Sequence, residues 1–398
     1  MKIALVTPHY LPTKTSCAAQ MTDLAQILSQ LGHEPIVITP QIGDNNISSV
    51  EKINNVEIFR FPTFDIFQSN HVKRTINEIL LPICMIWGIK RSNFPIKHLD
   101  AVIWYSPSIF LGPVVKFLIK SSKCPAYLIL RDIFPEWALD LGLLKKNLPF
   151  FFFKWVANYN YSLANIIGVQ TKSNLEYFKK WNKNSGKQIE VLNNWISHKI
   201  ETKSNISFYN TNLKNKKIFV YIGNAGIAQD IDIFIELIDY LKYRKDIGFL
   251  FLVRESVATK LKTIFKDKNI TNTLFLDPIR PEEINSLLKM CHVGLVALNV
   301  HHKSHNIPGK FIAYMDAGLP VLARVNPGTD LEKLIQNEKL GFVYTGSKVK
   351  DFAMLAEKLI DDDINLKDIS SRCYSIASKM FSSEMAAKKI VSSLLKYI

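Results

Sequence analysis

At 398 residues, 47% of them hydrophobic, the chain is longer than one core usually supports and too apolar for disorder, which leaves a globular protein of about two domains. Its formal charge of +15, from 50 Lys and Arg against 35 Asp and Glu, suits an anionic partner (nucleic acid, an acidic membrane surface or phosphorylated substrates), although Lys abundant alongside Asn and Ile also fits a biased genome. Cys17, Cys84, Cys124, Cys291 and Cys373 form no CxxC pair, which argues for reduced cytoplasmic thiols and against a disulfide framework or zinc site, and no apolar run reaches membrane-span length.

Lys2 leads directly into the apolar strand KIALVT (2–7), so no signal peptide is expected. The loop HYLPTKTSCA follows. A helix from about 18 to 31 carries Met21, Leu24, Ala25, Ile27 and Leu28 on one face, and the strand PIVIT (35–39) comes after Gly32-His33-Glu34. This β-loop-α-β unit starts a doubly wound parallel sheet. VEIFRF (56–61), AVIWYS (101–106), AYLILRD (126–132) and NIIGVQT (165–171) continue the strands, with helices between them. The run ILLPICMIWGI (79–89) is too short for a span and contains Pro82. After IEVLNNWI (189–196), an Asn- and Lys-rich stretch, SHKIETKSNISFYNTNLKNKK, marks the domain boundary.

A second α/β series opens with KIFVYIG (217–223) and an amphipathic helix from Ile231 to Tyr243, followed by strands at 249–253, 273–277 and 293–298. NIPGKFIAYMDAGLPVLA (306–323) reads as loop, helix and strand, with Gly318 stopping the helix and Pro320 just beyond it. GFVYT (341–345) is a further strand, and 385–398 is helical. The fold class is α/β, with two Rossmann-like domains of parallel strands. They are an N-terminal domain at 1–197 and a C-terminal domain at 198–380, followed by a helical end, 381–398, able to cross back to the first. A ligand cleft is expected between the halves, at the carboxyl ends of both sheets.

Candidate chemistry lies in four stretches. In LILRDIFPEWALDLG (128–142), Arg131-Asp132 ends an apolar strand, where a base or substrate-orienting group would face a cleft. An Asp that caps the next helix and pairs with Arg131 fits Asp132 equally well, and Asp140 reads as structural. In YIGNAGIAQDID (221–232), Gly223 and Gly226 flank Asn224 between strand and helix, where backbone amides can approach a diphosphate. It is not a G-x-G-x-x-G fingerprint, and Asp230-Ile231-Asp232 sits at a helix start, where N-capping is a better reading than metal binding. Lys310 lies beside a helix start with free backbone N–H groups, a place for a phosphate, an ordinary helix being the plainer alternative. LLKKNLPFFFFKW (143–155), with Ile79–Ile89 and the flanking Lys73, Arg74, Lys90 and Arg91, reads as an apolar-basic surface that docks on an anionic bilayer, since four adjacent phenylalanines cannot all face one way. The histidines, His301, His302 and His305 among them, show no HExxH spacing, and no G-x-S-x-G elbow occurs.

Together these segments resemble a family-4 glycosyltransferase of the GT-B fold along the whole chain. The resemblance is carried by GHE (32–34), RDIFPEWALDLG (131–142), VLNNWI (191–196), YIGNAGIAQ (221–229) and IPGKFIAYMDAGLPVLA (307–323). Within that family they are most similar to the WbuB-like L-fucosamine transferases of bacterial O-antigen and capsule assembly. The resemblance implies retaining transfer of N-acetyl-L-fucosamine, or a related N-acetylated deoxysugar, from a UDP-sugar to an undecaprenyl-diphosphate-linked saccharide. It implies an enzyme peripheral on the inner face of the cytoplasmic membrane, an anionic surface, with no essential metal and no nucleic-acid partner. It places the donor phosphates at Gly223, Asn224 and Gly226, the donor helix at Pro308, Gly309 and Lys310, and further donor contacts at Arg254 and Ile279. Asp132 becomes the acceptor-side catalytic group, with Arg131 and Glu136 beside it, and Thr15 and Ser16 belong to the first acceptor loop.

The sequence departs from the family at three points. Two glutamates eight residues apart are usual before the helix-stop glycine, and His305 and Ala313 stand there instead. Gln229 replaces the usual phosphate-loop lysine, which leaves Lys310 as the phosphate cation. Thr13–Ala19 replaces the glycine pair of the first loop. A UDP-sugar 2-epimerase of the same fold, and an inactive relative that only binds glycan or a second transferase, are the alternatives.

Overall fold

Unbroken apolar runs such as Ile3–Val6 and Ala126–Leu130 are buried on both sides, the condition of a central strand in a parallel sheet covered by helices on each face. The computed structural model describes residues 1–41, 48–66, 70–106, 108–196, 202, 204–226, 229–300, 306–361 and 366–398, with the backbone alone at 71, 180 and 182–185. The chain divides into two units, Met1–Ser197 with Ser382–Ile398, and His198–Phe381.

The first unit opens with β1 (Lys2–Val6), α1 (Ser16–Gln30), β2 (Glu34–Gln41), β3 (Ser49–Ile53), β4 (Val56–Pro62) and α2 (His71–Arg91). It continues with β5 (Ala101–Ser106), α3 (Gly112–Ser122), β6 (Ala126–Leu130), α4 (Glu136–Asp140), α5 (Leu148–Ser162), β7 (Ile166–Val169), α6 (Lys172–Ser185) and β8 (Gln188–Val191). The strand order among the described residues is β3-β4-β2-β1-β5-β6-β7-β8. Every pairing is parallel except that of β3 with β4. That antiparallel edge strand is not visible in the apolar pattern, because SVEKI is largely polar; Asn54 and Asn55, with φ of 50° and 65°, make the hairpin turn. The period of two sends Ala4 and Val6 to one face and Ile3 and Leu5 to the other. The run 79–89 belongs to α2, with Pro82 inside the helix, and no helix among the described residues is long and apolar enough to cross a membrane.

The second unit contains β9 (Lys217–Ile222), α7 (Asp232–Leu241), β10 (Ile247–Leu252), α8 (Glu255–Asp267), β11 (Thr273–Leu276), α9 (Pro281–Leu288) and β12 (Val293–Ala297). After these come α10 (Gly309–Asp316), β13 (Val321–Arg324), α11 (Asp330–Asn337), β14 (Gly341–Tyr344), α12 (Val349–Asp361) and α13 (Leu366–Met380). Its strands run parallel in the order β11-β10-β9-β12-β13-β14. The final helix, α14 (Ser383–Leu394), belongs to the first unit, where Ala386, Ala387, Ile390 and Leu394 cover the same sheet face as Met21 and Leu24 of α1.

Helix α10 ends as its sequence requires. Gly318 takes φ +67°, its N–H reaches the Met315 carbonyl at 3.0 Å, and the Leu319 N–H reaches Tyr314 at 2.8 Å, a Schellman closure. Tyr314 seats the helix. Its hydroxyl accepts the Ile222 N–H at 3.2 Å and lies 3.0 Å from the Val220 carbonyl and 3.2 Å from that of Leu295. A side chain at Gly294 would overlap the Tyr314 ring, so the close approach of α10 to β12 requires glycine there.

Candidate functional site

In the second unit, the turn after β9 and the start of α10 meet through Lys310. Its ammonium donates to Gln229 Oε1 at 2.9 Å and sits 3.7 Å from the centroid of the Tyr221 ring. The Tyr221 hydroxyl in turn donates to the Asn224 carbonyl at 2.8 Å. Burial disfavours the charged amine and brings the Lys310 pKa down from 10.5 to about 7. The N-cap of α10 is Pro308, and no side chain among the described residues caps the helix. Gly223 needs to be glycine for its φ of +94°. Gly226 and Gly309 have no such φ, and an added Cβ would meet no described atom within 4 Å, so nothing among the described residues demands glycine at either place.

The structure thus brings together Gly223, Asn224, Gly226, Gln229, Pro308, Gly309 and Lys310. Arg254, exposed at the head of α8, and Ile279, half-buried before α9, stand at carboxyl ends of the same sheet without a described contact to Lys310. The expectation that Asp230 and Asp232 cap α7 fails: Ile231 is the N-cap, and no side chain caps the helix. The Asp230 carboxylate lies 3.3 Å from Nη1 of Arg324, the last residue of β13, and that nitrogen also donates to the Leu298 carbonyl at 2.8 Å. Sequence reasoning missed Arg324, although a charged residue closing an apolar strand is the same signal that singled out Arg131. Ala313 is on α10, whereas His305, with His301 and His302, lies outside the described residues.

In the first unit, the Arg131 side chain is buried and turned inward. Its Nε donates to Gln20 Oε1 at 3.1 Å, its Nη1 to the Leu192 carbonyl at 2.8 Å, and the guanidinium stacks 4.4 Å from the Trp195 ring. Tyr105 donates to the same Gln20 oxygen, and Gln20 donates to Asn194. Asp132 follows half-buried, its charge supporting that of Arg131. It does not cap α4, whose N-cap is Pro135 with no side-chain cap bond. Glu136 pairs with Lys154, which also donates to Tyr177, so its carboxylate is engaged within the unit. Thr15 caps α1 by accepting the Ala18 N–H at 3.2 Å and lies 3.3 Å from His9 Nδ1, while Ser16 is exposed. Burial and the charge of Arg74 hold His9 down to about 4, which keeps the imidazole neutral.

Two helices of this unit expose apolar ladders. On α2 these are Val72, Ile76, Ile79, Ile83 and Trp87, and on α5 they are Leu148, Phe151, Phe152 and Trp155. Both sets follow the helical spacing of three and four. Of the four phenylalanines, Phe150 is buried, Phe153 is packed against the core, and Phe151 and Phe152 face out. Both helices flank the 3-10 turn Ile109–Leu111, and Phe110 of that turn lies 6.5 Å from Phe152. Arg91 stacks on Trp87 at 3.4 Å, and Lys90 beside it is exposed.

Residues 202–376 match the family described as Glycosyl transferases group 1. The chain is 23% identical over 243 residues to a probable glycosyltransferase, WbjE, of Pseudomonas aeruginosa, an alignment covering 60% of each chain. It thus spans less than two thirds of that relative's length. A putative colanic acid biosynthesis glycosyl transferase of Escherichia coli (strain K12), WcaI, is 23% identical over 355 residues, 84% of this chain and 86% of that one. Among solved structures, Anabaena HepE, crystallised with UDP and glucose, superposes with a TM-score of 0.68 at 14% identity, covering all of both chains. At that identity the likeness establishes the fold, which is GT-B with two Rossmann-like domains.

Proposed function

We propose that this chain, whose second unit matches the family described as Glycosyl transferases group 1, transfers a sugar from a UDP-sugar to an undecaprenyl-diphosphate-linked saccharide during assembly of a bacterial O-antigen or capsule. The observation that carries this reading is Lys310. A lysine held buried over Tyr221, between a glycine turn and an uncapped helix start, is a cation kept in readiness for an anion. The leaving UDP gains charge as the glycosidic bond to the donor breaks, and that charge is stabilised by Lys310 Nζ with the amides near Gly223 and Gly309. The glycines at 226 and 309 leave the backbone bare where a diphosphate would approach. Transfer with retention, without an essential metal, follows the family pattern, and N-acetyl-L-fucosamine or a related N-acetylated deoxysugar is the proposed donor sugar. Names of distant relatives support the polysaccharide context: WcaI is named for colanic acid biosynthesis, and HepE holds UDP.

On the acceptor side, Asp132 orients or deprotonates the incoming hydroxyl, and the buried Arg131–Gln20 network fixes the turn that carries it. The apolar ladders of α2 and α5, with Lys90 and Arg91 at the end of α2, seat the enzyme on the inner leaflet of the cytoplasmic membrane, where its lipid-linked acceptor resides. Mass spectrometry of products from a panel of UDP-sugars and a lipid-linked acceptor tests the reading. A glycosylated lipid with release of UDP is expected. An enzyme that neither binds UDP nor consumes any UDP-sugar would overturn it.

A further inference from the structure

Arg324 is 5% exposed, and its Nε–H has no hydrogen-bond partner among the described residues, a cost that packing alone would remove by placing an apolar side chain there. Its other contacts show what it does. Nη1 joins the Leu298 carbonyl, at the end of β12, to the Asp230 carboxylate, in the segment after β9. Asp230 is the covalent neighbour of Gln229, and Gln229 holds the ammonium of Lys310.

We propose that Arg324 and Asp230 are positioning residues. Their ion pair anchors the segment after β9 to the carboxyl ends of β12 and β13, and so fixes Gln229 where it keeps Lys310 over Tyr221. Without that anchor, the Gln229 amide is free to leave and the Lys310 side chain swings out to water. The effect on nucleotide binding rests on the function proposed above, whereas the placement of Lys310 does not.

A buried ion pair stripped of one partner leaves an unpaired charge, while removing both members leaves a neutral interior. Asp230→Asn, Arg324→Met and the double variant therefore separate stability from positioning. Lysine residues of the full chain are labelled with ¹³C at Cε, and Lys310 is identified by the signal missing in Lys310→Met. Its titration is followed by NMR without ligand, and UDP affinity is measured in parallel. Asp230→Asn is expected to lower the Tm and the double variant to recover most of it. In the double variant, Lys310 should nonetheless titrate at least one pH unit above the wild type, and UDP affinity should fall at least fivefold. Should the double variant not fold, Arg324→Lys, which keeps the charge on a shorter side chain that does not carry its nitrogen to the place of Nη1, is expected to shift Lys310 in the same direction. A double variant, or a folded Arg324→Lys, with wild-type Lys310 titration overturns the proposal. If Lys310 moves as expected but the wild type does not bind UDP, the positioning stands and the nucleotide reading falls.

Discussion

Replacing Lys310 by methionine should make the protein more stable and, on the proposed function, a poorer binder of UDP. Burial lowers the Lys310 pKa from 10.5 to about 7. At about 1.36 kcal/mol per pH unit, keeping this amine in place at pH 7 costs on the order of 4 kcal/mol relative to the unfolded chain. Methionine fills a similar volume without that cost, but loses the bond to Gln229 and the contact with the Tyr221 ring, worth about 1 kcal/mol each. A net gain of roughly 1–3 kcal/mol remains, which in a unit of this size raises the Tm by about 2–4 °C per kcal/mol. The pH dependence has a definite sign. Between pH 7 and 10.5 the unfolded lysine carries a proton that the folded one has lost. Wild-type stability therefore climbs with pH across that window, the variant lacks this rise, and the gap between them closes. For UDP the direction is reversed. The diphosphate requires the charged amine, so wild-type affinity falls by up to tenfold per pH unit above about 7, as binding must bring a proton with it. The variant loses that slope together with roughly 1.5–3 kcal/mol of binding, about 10- to 150-fold. Thermal unfolding across pH 7–10 and calorimetric titration with UDP measure both effects. A variant less stable than wild type at pH 7, with UDP affinity intact, would refute the reasoning.

Gly309→Ala places a methyl in open space at the first position of α10, so stability should hold or rise by about 0.5–1 kcal/mol while UDP affinity drops at least tenfold; unchanged affinity means no ligand approaches that backbone. Gly294→Ala forces a methyl into the Tyr314 ring and should cost about 1–3 kcal/mol in urea unfolding, an expectation that a wild-type midpoint would contradict. Trp87→Asp with Phe151→Asp removes two exposed anchors, each worth on the order of 1.5–3 kcal/mol of apolar burial. Co-sedimentation with phosphatidylglycerol vesicles should fall at least tenfold at an unaltered Tm, and undiminished binding would locate the membrane contact elsewhere.

The sequence by itself determined the elements whose physics is local. Apolar runs such as AVIWY at 101–105 read as central strands, Gly318 can stop a helix because it adopts φ +67°, and the spacing along 306–323 specified α10. It also singled out Gly223, Asn224, Gly226 and Lys310 as a candidate phosphate site, because glycine turns at strand ends and a lysine at a helix start are local patterns. The polar edge strand β3 escaped notice because pairing to β4, and not its own composition, makes it a strand. Tertiary structure alone decided which charges are used and which are buried. Arg131 and Arg324 both close apolar strands, and only the packing of Gln20 and Trp195 around one and of Asp230 beside the other turns them inward. Likewise, Phe150 and Phe151 are neighbours of identical chemistry, yet one is buried and the other exposed. Such choices depend on contacts between residues far apart along the chain, which no local pattern encodes.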